Sequence, residues 1–447
     1  MKSTTSTRNI LYTVLVLFCA TFAAVIFVNG KSKNTFPTLK ARSGALAQAT
    51  EWAETQVTYN KLVTELEAKP GDARNTLKLA KTFMNEGRAT GDFTYYNKAA
   101  LDLIEMVLAK DPKDFEAIAL KSMIFLSQHR FAEGKVIAEE ARRTNPHNSF
   151  VYGLLVDANV ELGDYATAVT MCDKMVSIRP DIRSYSRISY LRELHGEVPA
   201  SIEAIQQAIA AGMPGREDAE WARMVLAHLY EDTNQLDKAE AQYTFSLQHR
   251  PDYPFALAGL GRIARFKKDY ATAVSYFEKA SGVMNDVSFF EELAELYRLN
   301  GQEDKAEKCT RITTEALLAD NISSKKDKNL GHNADYELAI LYLKNDKPDK
   351  ALEFARAEYQ RRPQNMDACE IFAWALYKNG QNAEAGQHLN TILRTNSQKP
   401  ERLVRAGIIM AANGQTEAGK SMITKGLGLK PYMDESLVKT AETIING

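Results

Sequence analysis

Four prolines recur along the first half of the chain at a constant spacing of 34 residues: Pro112, Pro146, Pro180 and Pro214. Pro363 and Pro431 are separated by two periods of the same length. A fixed period of this size indicates repeated supersecondary units, each burying its apolar face against the next. The 447 residues also exceed the size at which a single hydrophobic core stops growing. The period therefore predicts an array that extends in one direction.

The residues between these prolines follow the spacing of helices rather than the alternation of strands. Leu257, Leu260 and Gly261 lie at helical spacing and are followed by Ala273 and Phe277, which are four residues apart. Two helices cross closely only where small residues such as Gly261 and Ala273 remove bulk, while Phe277 fills the space beside them. Turn-forming residues stand between the two helices of each unit. The sequence thus predicts all-α units of the form helix, turn, helix.

This pattern of Leu257, Leu260, Gly261, Ala273 and Phe277 resembles the tetratricopeptide repeat (TPR) family. The resemblance extends over about ten to eleven units. It implies a right-handed superhelical solenoid whose first helices line a concave, protein-binding groove. The register divides the chain into a polar tail (1–9), an apolar segment (10–28), a linker (29–48), TPR repeats (49–318), a polar loop (319–333), and further repeats with a C-terminal cap (334–447).

The apolar segment at residues 10–28 contains no charged side chain. At a rise of ~1.5 Å per residue its length matches the ~30 Å hydrocarbon core of a bilayer. We therefore expect a single-pass anchor in the cell membrane, with the repeats on the extracytoplasmic side. The alternative is a signal segment that is removed, which gives a secreted or periplasmic protein. Residues 184–197, 351–363 and 372–380 also resemble a group of exported bacterial TPR proteins, which again implies the envelope.

No sequence motif predicts catalysis. The signatures of serine hydrolases, P-loop nucleotide-binding proteins, zinc proteases and dinucleotide-binding proteins are missing from the sequence. The four cysteines and seven histidines are scattered without metal-ligand spacing, so we expect neither a metal nor a cofactor. With 56 basic and 57 acidic residues, the net charge does not favour nucleic acid. These observations predict a protein that is not an enzyme.

The concave groove supplies the candidate partner-binding residues. Transfer of the repeat register places there nine side chains, mostly of the types that anchor protein interfaces: Arg187, Trp221, Met224, His228, Phe255, Arg262, Arg265, Phe266 and Tyr336. The alternative for the aromatic residues and the arginines is that they fill the interfaces between repeats. A clamp for a peptide's terminal carboxylate is not expected, because Ala258, Gly259 and Arg262 occupy its positions.

The predicted function is therefore a non-enzymatic interaction scaffold at the cell envelope, which binds a protein or peptide in the groove. Two alternatives remain at this point. One is an accessory or unrecognised enzyme of envelope or carbohydrate metabolism, with its site in the polar loop 319–333. The other is an assembly factor that associates with itself.

Overall fold

The computed structural model describes residues 36–42, 44–48, 50–430 and 433–447. Within these ranges the chain forms α-helices, one short 3₁₀ helix (Gly44–Gln48) and no β-strand, which confirms the all-α solenoid. The helices are α1 Thr50–Ala68, α2 Ala73–Thr90, α3 Phe93–Leu108, α4 Phe115–Ser127, α5 Phe131–Thr144, α6 Ser149–Leu162, α7 Tyr165–Ile178, α8 Ile182–Leu194, α9 Val198–Ala211, α10 Glu217–Glu231, α11 Leu236–His249, α12 Pro254–Phe266, α13 Tyr270–Val283, α14 Val287–Leu299, α15 Glu303–Lys326, α16 Asp335–Lys344, α17 Pro348–Arg361, α18 Met366–Lys378, α19 Asn382–Gly386, α20 Leu389–Leu393, α21 Pro400–Ala412, α22 Thr416–Leu429 and α23 Glu435–Asn446.

Helices α2 to α22 form successive antiparallel pairs, from α2 with α3 to α21 with α22, and α19 and α20 share the second position of one pair. Acidic residues begin many of the helices. The side chain of Asp114 accepts a hydrogen bond from the Ala117 amide, and Asp269 does the same for Thr272. Such caps satisfy amide groups that have no partner inside the helix. The sequence thereby determines where the units begin.

The two helices of a pair meet at the small residues that the sequence predicts. A Cβ atom added to Gly261 would lie 2.7 Å from the ring of Phe277 and 3.4 Å from the carbonyl oxygen of Ala273. Phe277 is 1% exposed, and Ala273 is fully buried. The predicted crossing of α12 and α13 is confirmed.

The array coils so tightly that one superhelical turn packs on the next. Five pairs of contacting residues are separated by 198 to 205 positions: Glu51 with Arg250, Gln128 with Asn329, His129 with Asn333, Val160 with Asn365, and Asp232 with Lys430. Six units of 34 residues amount to 204 residues, so one turn takes about six units. We name this line of contacts the seam. Because the array has more than six units, the seam runs along much of the molecule.

The structure contradicts the predicted loop and shows contacts made by the predicted linker. The stretch 319–333 is not a loop throughout, because α15 continues to Lys326. The amide of Asn321 donates a 2.8 Å hydrogen bond to Asp335, and this buried contact holds the polar residues in helical form. The later part of the linker 29–48 also packs against the repeats, since the buried guanidinium of Arg42 forms an ion pair with Glu86.

The tail 1–9 and the apolar segment 10–28 lie outside the described residues. Among the helices of the described part, none is both long enough and apolar enough to cross a membrane.

Candidate protein-binding surface

The first helices of the pairs present one side to the superhelix axis, and we name this side the inner surface. Neighbouring first helices are joined there by ion pairs. Nε of Arg187 on α8 donates to Oδ1 of Asp157 on α6 at 2.8 Å and to the carbonyl oxygen of Gly153 at 3.2 Å. Burial alone would lower the pKa of Arg187, but Asp157 outweighs it and raises the pKa. Arg187 therefore joins α8 to α6, and its charge is already neutralised by Asp157.

Arg262 is the centre of the next cluster. Its Nε lies 3.1 Å from Oε2 of the buried Glu231, and its Nη2 donates to Nε2 of His228 at 2.9 Å. The hydroxyl of Tyr243 donates to Glu231 at 2.7 Å. Burial and the guanidinium of Arg262 lower the pKa of His228 to about 4, so this imidazole is neutral at pH 7. The predicted residues His228 and Arg262 thus contact each other, with α10 and α12 as their supports.

Arg265 joins α12 to α14 in the same way. Its guanidinium contacts Glu292 at 2.9 Å and also Glu295. Lys344 on α16 extends the series through a 3.2 Å contact with Glu291. Charges on the inner surface are therefore largely used to connect one unit to the next.

The aromatic candidates occupy two different environments. Trp221 is 48% exposed, and its ring meets that of Phe255, one 34-residue period later, at a centroid distance of 5.3 Å. Phe255 and Phe266 are partly buried against the core between the units, and Tyr336 packs against a C-terminal core cluster. These three fit the interface-filling alternative. Trp221 remains the large exposed aromatic side chain among the predicted set.

Met224 does not lie on the groove as predicted, because it is 3% exposed and belongs to the core around α10. The register also misses two inner-surface residues, Tyr190 and Glu193. The hydroxyls of Ser189 and Ser201 meet at 3.0 Å where α8 and α9 cross. This crossing moves the register by one residue and turns Tyr190 outward, to 38% exposure. If the register of α8 had been aligned on Ser189, the small residue at the crossing, the sequence would have predicted Tyr190 on the inner surface.

Glu193 differs from the other inner-surface carboxylates. Among the described residues its carboxylate forms neither an ion pair nor a hydrogen bond. Burial, followed by repulsion from Asp232, raises its pKa to about 7. Glu161 also has a pKa raised to about 7 by burial, although it contacts Arg362. Both carboxylates act on Tyr190, whose pKa is raised by burial and by the negative charges near it. Tyr190 and Glu193 therefore form a partly exposed acidic and aromatic patch.

The expectation that the histidines remain scattered is wrong for His129 and His332. The fold brings both rings to Glu337, with ligand atoms within 4.8 Å of one another. Sequence spacing gives no sign of this cluster, because 203 residues separate the two histidines. The cluster lies on the seam rather than on the inner surface.

Stacked helix pairs, a superhelical turn of about six units and an inner surface built from first helices define an α-solenoid, a class of interaction scaffolds. Residues 224–282 and 336–400 match the family model of the tetratricopeptide repeat. These two segments are therefore tetratricopeptide repeats, and repeats of this kind imply a scaffold for protein–protein interaction.

Relatives of the chain are distant. It is 24% identical over 268 residues to the anaphase-promoting complex subunit CDC16 of Saccharomyces cerevisiae, which is 58% of this chain and 29% of that relative. It resembles a thermophilic TPR protein of Thermus thermophilus, with 23% identity, a TM-score of 0.37 and coverage of 43% of this chain and 97% of the other. It also resembles human IFIT1 in a dimer with PPP-AAAA, with 13% identity, a TM-score of 0.45 and coverage of 86% and 89%.

Proposed function

We propose that the chain binds an extended segment of a partner protein along its inner surface, without catalysis, and that residues 10–28 hold it at the cell membrane. The partner is identified by chemistry: the segment offers a Lys or Arg next to an apolar or aromatic side chain. The patch of Tyr190 and Glu193 is the observation on which this choice depends.

Charge supports a basic partner at this patch. Glu193 is partly buried, and its pKa of about 7 means that ionisation is unfavourable in the free protein. A partner cation placed beside it stabilises the carboxylate and lowers that pKa. Tyr190 supplies apolar area together with a hydroxyl, and such side chains frequently anchor interfaces. Trp221 on the following first helix extends the surface available to the same segment.

Arg262 and Arg265 are poor choices for testing the groove. Reversal of either charge would place a carboxylate against Glu231, or against Glu292 and Glu295. The variant would lose an internal ion pair, so weaker binding would not distinguish a lost contact from a damaged fold. The decisive variants are therefore at the patch itself.

Site-specific photo-cross-linking in cells, with the full chain, tests the proposal. A photoreactive amino acid replaces Tyr190 on α8, Trp221 on α10, or Val169 on α7. Val169 is a matched control, because it is 37% exposed against 38% for Tyr190 but lies on a second helix. We expect one shared adduct at positions 190 and 221 that is missing at 169. Glu193→Gln should reduce the adduct at position 190 several-fold.

Equal adducts at positions 169 and 190, or no adduct at 190 in a folded chain, would contradict binding at the inner surface. The membrane part of the proposal has a separate test. After alkaline extraction the full chain should remain with the membrane, whereas deletion of residues 10–28 should release it. Protease added to intact cells and to cells with an opened outer barrier then locates the repeats. We expect the repeats on the extracytoplasmic side, so degradation only after the cell membrane itself is breached would contradict this location by placing them in the cytoplasm.

A further inference from the structure

Three side chains with metal-binding chemistry meet on the seam. His129 lies in the turn between α4 and α5, whereas His332 lies in the loop before α16 and Glu337 on α16. One nitrogen from each ring and one carboxylate oxygen lie within 4.8 Å of one another. The two imidazoles are arranged edge to face, with centroids 5.1 Å apart. The cluster therefore combines groups from two successive superhelical turns.

Both rings are held in place through Nδ1. Nδ1 of His129 lies 2.9 Å from the carbonyl oxygen of Asn333, and Nδ1 of His332 lies 3.1 Å from Oδ2 of Asp320. A neutral imidazole whose Nδ1–H donates a hydrogen bond to an oxygen keeps the lone pair of Nε2 for a metal. Carbonyl and carboxylate partners of this kind are what orient histidine ligands in metal sites. At His332 the carboxylate beside Nδ1 therefore leaves Nε2 available for a metal, whereas Nδ1 of His129 faces both the Asn333 carbonyl and, at 3.9 Å, Oε1 of Glu337.

Glu337 provides a second, independent sign. Its Oε2 is buried without a hydrogen-bond partner among the described residues, which is costly for a carboxylate. The guanidinium of Arg361 is close by, but it donates to the carbonyl oxygen of His129 at 3.3 Å and contacts Asn333 and Glu358. A cation bound to Glu337 would supply the missing partner.

We propose that His129, His332 and Glu337 bind a divalent transition-metal ion, for which Zn²⁺ is the probe, and that the ion joins the two turns across the seam. Two imidazoles and one carboxylate form a common zinc ligand set, with a water molecule in the fourth position. Ligand atoms on tetrahedral zinc are roughly 3.3 Å apart, so the three groups need to approach by up to about 1.5 Å. Binding fastens two segments that are far apart in the sequence, and it thereby stabilises the closed superhelix. The inference does not depend on the inner-surface proposal.

Calorimetric titration of the full chain with Zn²⁺, using an affinity tag without histidine, tests the site. We expect one ion per chain, and a loss of affinity of at least tenfold in His129→Ala, in His332→Ala and in Glu337→Gln. Co²⁺ should give the visible absorption of a tetrahedral site, whereas Mg²⁺ should not compete. His249→Ala is the matched control, because Nδ1 of His249 also lies 3.0 Å from a carbonyl oxygen, that of Phe245, but His249 is not part of the cluster. Its affinity should be unchanged.

Thermal unfolding gives a second measurement that does not rely on affinity alone. Zn²⁺ should raise the Tm of the natural chain, and a chelator should reverse the rise. Glu337→Gln preserves the shape of the side chain, so its metal-free Tm should match that of the natural chain while the rise with Zn²⁺ disappears. Absence of Zn²⁺ binding by the folded chain overturns the proposal. Affinity that stays within twofold in all three variants overturns it as well.

Discussion

At the scale of single residues, buried ion pairs connect the first helices, and Arg402 is the most enclosed of these cations. It is 1% exposed, its Nε lies 2.8 Å from Glu370, and it also contacts Asp367. Arg402→Met should lower the free energy of unfolding by about 3 kcal/mol, because Glu370 then keeps only Arg405 as a partner. Urea unfolding checks this value. The double variant Arg402→Met with Glu370→Leu should recover much of the loss, and a loss below about 1 kcal/mol in the single variant would contradict the argument.

The pH dependence of this pair follows from the pKa of Glu370. Burial alone would raise it, but Arg402 and Arg405 outweigh burial and lower the pKa to about 2. A lowered folded-state pKa gives stability that is complete above the unfolded value of about 4.5 and is lost as the pH falls toward 2. The destabilisation by Arg402→Met should therefore be equal at pH 6 and pH 8.

The contribution of Glu193 to stability changes with pH in the opposite direction, because its folded-state pKa is raised to about 7. The folded protein holds a proton that the unfolded chain releases near pH 4.5, so stability is complete below that value and falls as the pH rises to 7. Glu193→Gln removes this loss. We expect it to raise stability at pH 8 by up to about 2 kcal/mol, allowing for partial solvent screening, and to have no effect near pH 4.5. Thermal unfolding at the two pH values checks the difference, and an equal effect at both would exclude Glu193 as the titrating group.

At the scale of the elements, close helix crossings determine the shape of each unit. Alanine normally stabilises a helix by about 1 kcal/mol relative to glycine. At Gly261 the sign should reverse, because the new Cβ would lie 2.7 Å from the ring of the buried Phe277. We expect Gly261→Ala to cost about 1–3 kcal/mol. Gly282→Ala is the matched control in α13, since nothing lies within 4 Å of its added Cβ, and it should be neutral or stabilising. Denaturant unfolding measures the free energy of unfolding of both variants. Equal changes in this free energy would contradict the packing argument.

These crossings also explain how far the sequence alone could predict the molecule. Gly261, Ala273 and Phe277 are close in the chain and follow a fixed pattern, so both the fold and the pairing could be predicted from them. In α8 the small residue at the helix crossing is the polar Ser189 rather than Gly or Ala, so the repeat pattern is harder to align there. The predicted inner surface of α8 is therefore displaced by one position. The exposure of Trp221 and the burial of Met224 depend on packing against the adjacent unit. The motif of a single repeat contains no information about that packing.

At the scale of the whole molecule, the seam could not be predicted, because it joins residues about 200 positions apart through backbone groups and individual ion pairs. We expect its contacts to fix the pitch of the superhelix. The carbonyl oxygen of Gly163 accepts from Arg394, and the amide of Met366 donates to the hydroxyl of Tyr165 at 2.9 Å. Two successive superhelical turns are in contact here with no room for a side chain, because a Cβ atom added to Gly163 would lie 2.1 Å from the carbonyl oxygen of Gln364.

Gly163→Ala should therefore separate the two turns while leaving the helix pairs folded. Gly414→Ala is the matched control, because Gly163 and Gly414 both lie between paired helices with a positive φ, 81° and 83°, and only Gly163 has an atom within 4 Å of the added Cβ. Both variants acquire the same left-handed strain of about 1–2 kcal/mol. Only Gly163→Ala should increase the radius of gyration in X-ray scattering and speed amide exchange at the Met366 amide. If both variants change these quantities equally, backbone strain rather than the seam would account for the effect, and the seam would not set the pitch.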